Sequence, residues 1–411
     1  MGNFSIALSG LEADSTALNT IGNNLANLNT TAYKGQTTSF EDLFHQQIGE
    51  SGAGDPIQVG SGTKVGSTTT DFSEGTLLPD ANGNTSDMAL DGSGFFLVQQ
   101  NGQDSLTRAG NFTVANNGSL TTQDGQNVLG YPATAGVVNT NTNPQPITLP
   151  VGATQGAQAT QNISVTANLN SGAASGAEFT SPVTVYDSLG QSHQATITYD
   201  KTGTNTWSYA VTLPAGDATG TPVNNTGTLT FDSSGNLTSP TGSVDGISFP
   251  GMADGASDLT FNWNLNGSGS SPTLTQLASA DSNGANTQDG FASGNYTGFT
   301  VDPSGVIQAQ FSNGNTQTIG QVAVANVANV EGLVSVGGNN YQTTAASGQA
   351  VAGVAGTGGR GTVDDSTLEQ SNVNISTEFS NLIVAQRAFE ANSKTVTTFD
   401  TISQDVIAMV R

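Results

Sequence analysis

Apolar residues recur at both ends of this chain at spacings of three and four, whereas its middle alternates apolar and polar positions with a period of two. The strongest helical pattern runs over residues 375–411, which contain no Gly and no Pro. Phe379, Leu382, Ala385, Phe389, Asn392, Val396, Phe399, Ser403, Val406 and Val410 line one face of it as an a/d seam. Asn374 is the expected N-cap, and Glu378 puts a carboxylate in the first turn, where the helix dipole favours it. At 1.5 Å per residue such a helix is about 55 Å long, more than most single domains can bury. An ordinary core helix shares this periodicity, but the polar Asn392 and Ser403 on the seam suit a helix that selects a partner and a register. The first thirty or so residues offer that partner. Phe4, Ala7, Leu11, Asp14, Leu18, Ile21, Leu25 and Leu28 repeat the same spacing, interrupted by Gly10 and Gly22, each costing a helix interior about 1 kcal/mol. Alone in water this segment would be mostly disordered.

Between the ends the period-two runs predict short strands separated by turns. Phe95–Val98, 183–186, 195–199, 228–231, 299–301 and 318–324 alternate or are continuously apolar, and are bounded by Gly, Asn, Asp and Ser. Gly- and Ala-rich linker composition from about residue 137, and again near residue 284, marks a segment inserted into another. The chain is therefore expected to be α+β, with mainly β outer domains and paired N- and C-terminal α-helices forming a coiled-coil-like core. The expected division is residues 1–30 with 371–411 as the helical core, 31–75 with 355–370 as a connecting segment, 76–148 with 285–354 as a discontinuous β domain, and 149–284 as an inserted outer β domain.

Composition narrows the function. Thirty-two acidic residues against eight basic ones give a formal charge of -24, which repels nucleic acid and anionic membrane surfaces. No apolar run approaches the ~20 residues needed to span a bilayer, and the first residues lack the basic region and apolar core of a cleaved signal peptide. With no cysteine there is neither a disulfide nor a thiolate zinc site, and the redox compartment stays open. His45 and His193 are the only histidines, each expected at a surface or interdomain position. Asp80, Asn82, Asn84 and Asp91 have a loose calcium-loop spacing but lack the Gly and the bidentate Glu such a loop needs. The glycines around Asp91 lack the helix and Lys-Ser/Thr of a phosphate-binding loop. Neither a catalytic site nor a cofactor or metal site is expected. An enzyme such as a secreted glycosidase would need a carboxylate pair converging in a pocket. A secreted β-rich adhesin is the other alternative, and would not need both ends of the chain.

Several runs carry a specific resemblance. Asn23-Asn24-Leu25-Ala26-Asn27 followed by Thr30-Thr31-Ala32-Tyr33-Lys34 resembles the N-terminal motif of the bacterial flagellar axial proteins (rod, hook and hook-associated relatives), with Ala32 in place of the usual glycine. Asp91-Gly92-Ser93-Gly94-Phe95-Phe96 resembles the β core of that family, and Gln386-Arg387 through Asn392 its C-terminal signature. Tyr186-Asp187-Ser188-Leu189-Gly190 within an insert is similar to its hook members in particular. The resemblance implies a structural subunit that polymerises with itself into a curved, flexible tube coupling rod to filament. It further implies contacts with the distal rod, hook cap and hook–filament junction proteins, and export without a cleaved leader through the flagellar type III apparatus. The polymerisation seam would be Leu11, Leu18, Ile21, Leu25, Leu28, Phe379, Leu382, Phe389, Val396, Phe399 and Val406.

Overall fold

A computed structural model describes residues 2–50, 56–267 and 272–409. The chain forms two compact units: residues 1–151, 299–309 and 317–411 in the first, and 152–298 with 310–316 in the second.

In the first unit, helix α1 (Gly2–Ala26) and helix α2 (Ile375–Met409) lie against each other. Asn374 caps α2, its side-chain oxygen accepting from Ser376 N at 3.0 Å and Thr377 N at 3.1 Å, and no Gly or Pro follows to stop the helix. The helix α1 is shorter than its apolar spacing suggests. The Asn27 amide donates back to Asn23 O at 2.9 Å, which turns the chain, so Leu28 falls in the turn beyond the last helical residue. Asn and Gly near a helix end favour such turns over propagation. Strands Gln36–Asp42 and Thr63–Thr70 pair antiparallel beside α1, linked to it by Thr20–Thr38 at 2.9 Å and by Thr63 N donating to Ser9 Oγ at 3.2 Å.

The β part of this unit is organised around the strand Phe95–Gln100, hydrogen-bonded to Gln103–Thr107, Asn127–Thr134 and Thr316–Asn326. Four consecutive apolar residues fit a strand covered on both faces. Phe96 and Val98 join Phe112, Leu120, Val128 and Val324 in one core, while Phe95 and Leu97 join Leu106, Leu129 and Tyr341 in another. Asp80 and Asn84 belong to a turn in which Asn84 N donates to Asp80, whereas Asp91 ends the strand Met88–Asp91.

The second unit is a β-sandwich. Five antiparallel strands, Glu178–Tyr186, Ser192–Gly203, Thr206–Thr212, Thr226–Phe231 and Leu237–Ser239, form one sheet. The other is built from Asn162–Asn168, Ser243–Phe249, Leu259–Asn264, Leu274–Thr275 and Ser282–Gln288. Their inward residues, among them Val185, Ile197, Tyr199, Trp207, Phe261 and Trp263, make a single core. Strict alternation along Ser192–Gly203 also turns His193 inward, in phase with Ala195, Ile197 and Tyr199. His193 is thus buried rather than at a surface or interdomain position, compensated by carboxylates on both ring nitrogens. His45 is exposed.

Candidate functional site

The terminal helices run antiparallel, because Asn24 Nδ2 donates to Glu378 Oε1 at 3.1 Å while Asn392 Nδ2 donates to Asp14 Oδ2 at 2.9 Å. Gly10 sits opposite Asn392, and a Cβ there would lie 2.7 Å from its amide nitrogen, so the small residue allows this close approach. Nothing lies within 4 Å of the equivalent position at Gly22.

On α2, Ala385 is buried and Leu382, Asn392, Val396 and Phe399 are half-buried. Phe379, Phe389 and Val406 are exposed, as is every residue over 400–409, including Ile402, Ile407 and Met409. On α1, Leu11, Leu18, Ile21 and Leu25 are only half-buried, as is Leu28 beyond it. Among the described side chains of α1 the fully buried ones are Ala7, which lies on the expected seam, and Ala13 and Asn24, which do not, since α1 packs on two sides, against α2 and against the strands beneath it. The side chain of Phe4, and Val410, lie outside the described residues. A groove of about 330 Å³ opens between the helices and the strand Gln36–Asp42, lined by Ala17, Ile21, Phe40, Val384 and Ala388 among others.

Below the helices the motif residues converge. Asn24 is a hub: its Oδ1 accepts from Gln36 N at 2.9 Å and from the Tyr33 hydroxyl at 3.2 Å, and its Nδ2 also donates to Gln36 O at 2.8 Å. Asn23 donates to the Tyr33 hydroxyl at 3.1 Å. Burial, and then Glu378, push the Tyr33 pKa up. Gly35 N donates to Asn372 Oδ1 at 2.8 Å, tying the segment after α1 to the one before α2.

Next to this hub, Glu369, fully buried, accepts from Lys34 Nζ at 2.6 Å, Gly75 N at 2.8 Å and Arg108 Nε at 2.9 Å. Arg108 gives three of its four other donors to Gly92 O at 2.6 Å, Gly94 O at 2.9 Å and Leu90 O at 3.1 Å. Both glycines have positive φ, 101° and 124°, which lets their carbonyls converge on the guanidinium. Burial lowers the Lys34 pKa, against the pull of Glu369. With two cations on one carboxylate, the carbonyls of Ser73, Leu90, Gly92 and Gly94 supply the remaining negative charge density. Lys34, Gly92 and Gly94 thus meet in one clamp whose other members, Arg108 and Glu369, the motif reading left without a role. Phe95 and Phe96 fill the cores described above, and Gln386 and Arg387 are exposed, Arg387 reaching Glu390 at 3.3 Å.

Ala32 is buried with φ 53°, and its N–H donates to Glu369 O at 2.8 Å. The left-handed conformation costs a residue with a Cβ about 1–2 kcal/mol, and glycine's extra freedom in the unfolded chain takes back roughly half of the relief. Ala32→Gly should therefore stabilise the first unit by roughly 0.5–1 kcal/mol in urea unfolding followed by helical circular dichroism. A fall in stability would mean that the Ala32 methyl packs more tightly than its strain costs.

The comparisons agree with this division of labour. Residues 4–34 match the flagella basal body rod protein family, 89–168 the flagellar hook protein FlgE/F/G D1 domain, 166–291 the flagellar basal body protein FlaE D2 domain, and 365–409 the flagellar basal body rod FlgEFG protein C-terminal family. End segments clamped together around β units define a structural protein of the flagellar rod and hook. The chain is 36% identical to the flagellar hook protein FlgE of Escherichia coli K12, over 98% of this chain and 99% of that protein. It is 32% identical to the FlgE of Treponema pallidum, over 98% of each. It belongs to the flagellar hook protein family. The crystal structure of Helicobacter pylori flagellar hook protein FlgE2 shares its fold, with a TM-score of 0.54, 14% identity, and coverage of 71% of this chain and 100% of that one. Membership makes this chain a structural hook subunit that acts within the flagellum, with itself and neighbouring flagellar proteins. No helix among the described residues is long and apolar enough to cross a membrane.

Proposed function

We propose that the helix pair is the polymerisation surface, packing in coiled-coil fashion against the pairs of neighbouring subunits to line the inner wall of the hook, with the β parts outside. In this reading residues 1–30 and 371–411 form the inner layer, 31–75 and 355–370 connect it, and 76–148 with 285–354 and then the insert at 149–284 lie outward. The observation that carries it is the state of α2: Phe379, Phe389, Ile402, Val406 and Ile407 stand exposed on a helix of 35 residues. So much apolar surface left open along a helix is costly in water and is normally covered by a partner. In this reading the groove of about 330 Å³ beside Phe40 and Val384 would receive side chains of a second copy. Such a subunit has no catalytic role. It would reach the flagellum through the type III export apparatus without a cleaved leader, and meet the distal rod, the cap and the junction proteins at the ends of its polymer.

The insert supplies compliance in this scheme. Its outer strand Ser282–Gln288 is made of Ser, Asn, Gly, Ala, Thr and Gln, so contacts with neighbours would be polar and hydrated, and able to exchange at small cost as the tube bends. Under salting-out conditions the full chain should form curved tubes in negative stain. A chain with residues 149–284 replaced by a short Gly/Ser linker should form straight ones. No tubes from the full chain would favour an adhesin and overturn the reading. Curved tubes from the shortened chain would place the compliance in the inner layers.

A further inference from the structure

At one end of the sandwich, Asp187, His193 and Asp254 bring one carboxylate oxygen, the imidazole and a second carboxylate oxygen within 4.8 Å of one another. His193 Nε2 is 3.0 Å from Asp187 Oδ2 and 3.9 Å from Asp254 Oδ2. The opposite atom of each group is already held. His193 Nδ1 lies 2.8 Å from Asp217 Oδ2, Asp187 Oδ1 accepts from Leu189 N at 2.8 Å and Gln191 N at 3.0 Å, and Asp254 Oδ1 accepts from Ala256 N at 3.0 Å. The three donor atoms thus sit together inside a ring of fixed outer partners, and the His193 Nε2–Asp187 Oδ2 hydrogen bond is the contact that an ion would replace. Asp217 behind the imidazole reproduces the carboxylate–histidine pairing that sets the tautomer and basicity of metal-bound histidines.

We propose that Asp187 Oδ2, His193 Nε2 and Asp254 Oδ2 form a binding site for one divalent cation of the zinc class, with water completing the coordination. Bonds of 2.0–2.1 Å to zinc set neighbouring donors about 3.3 Å apart in a tetrahedron, so the pair 3.0 Å apart fits, and the partly exposed Asp254 must move inward by about half an ångström. One nitrogen and carboxylate oxygens, without sulfur, suit zinc or a similar borderline ion. Asp187 and His193 are buried while Asp254 is partly open, which gives the ion an entry path. Three carboxylates around a single imidazole leave this end of the sandwich electronegative, and a divalent ion offsets more of that charge than a proton on His193 does. The ion would tie the loop carrying Asp254 to the turn between Glu178–Tyr186 and Ser192–Gly203, with the loop of Asp217 joined to it through His193. The site lies wholly within the second unit and does not depend on how subunits assemble.

The test uses the full chain stripped with EDTA. Titration with Co²⁺ should give one equivalent of visible d–d absorption, removed by Zn²⁺. Zn²⁺ should also raise the melting temperature read by tryptophan fluorescence by roughly 5 °C at saturation, since both tryptophans lie in this sandwich. Asp217→Asn should weaken binding about 10-fold or more through the histidine. Asp254→Asn keeps an oxygen able to accept from Ala256 N, so it should fold with an unchanged metal-free melting temperature while losing the Co²⁺ spectrum. Absence of the spectrum and of the shift in the unmodified chain, or binding that survives Asp254→Asn, would overturn the proposal and leave a structural ion-pair cluster only.

Discussion

Phe389→Asp and Val406→Asp should each abolish tube formation while the isolated subunit unfolds as before. Both side chains are substantially exposed in the single chain, 38% and 49%, so a carboxylate there stays hydrated and the helix pair loses little. In the proposed polymer the same positions are enclosed by neighbouring helices, and an unpaired carboxylate buried there costs several kcal/mol at every subunit contact. Negative-stain microscopy under salting-out conditions reads the polymer, and urea unfolding reads the subunit. Tubes from either variant would remove that residue from the interface.

Glu369→Gln produces the other large effect, in the opposite place: the single subunit. Glutamine nearly preserves the volume and still accepts hydrogen bonds, but it leaves Lys34 and Arg108 buried without a counter-charge. Removing one partner of a buried ion cluster costs about 3–5 kcal/mol. The chain's two tryptophans, Trp207 and Trp263, both lie in the sandwich core, whereas α1 and α2 belong to the other unit. In urea, helical circular dichroism should lose its transition at much lower denaturant, while tryptophan fluorescence keeps its midpoint. Equal shifts of the two signals would mean that the units unfold as one. An unchanged dichroism transition would show that the clamp adds nothing to stability.

Local patterns carried much of the architecture. Asn374 was readable as a cap, α2 as an uninterrupted helix, and the strands around Phe95–Val98 and 195–199 as period-two or fully covered runs, because each depends on neighbours a few residues away. The contacts of α1 were less legible. A seam drawn through its leucines supposes one partner, but the helix packs on two sides; of its most buried side chains Ala7 lies on that seam, while Ala13 and Asn24 do not. His193 could have been placed inward by continuing the alternation of Ala195, Ile197 and Tyr199 one step back. Arg108 and Glu369 gave a fainter signal. They are separated by 261 residues, and no periodicity spans such a distance. Only scarcity hints at them: with eight basic residues in the chain, two set beside apolar strand motifs call for an acid elsewhere.

The clamp and the helix pair are closed by residues that meet across almost the whole chain: Lys34 with Glu369 over 335 positions, Asn24 with Glu378 over 354, and Asp14 with Asn392 over 378. Bringing such distant points together costs an unfolded chain on the order of 5 kcal/mol in loop entropy, and contacts of high sequence separation form slowly. The hairpins of the sandwich, joined by turns of a few residues, carry no such delay. Folding therefore runs from the middle outward, and the two ends are joined only when both are present and the domains between them have already shortened the distance to be closed. A chain still lacking either end thus cannot display the finished helix pair. With the helix pair as the proposed assembly surface, that order would keep subunits from joining one another before each is complete.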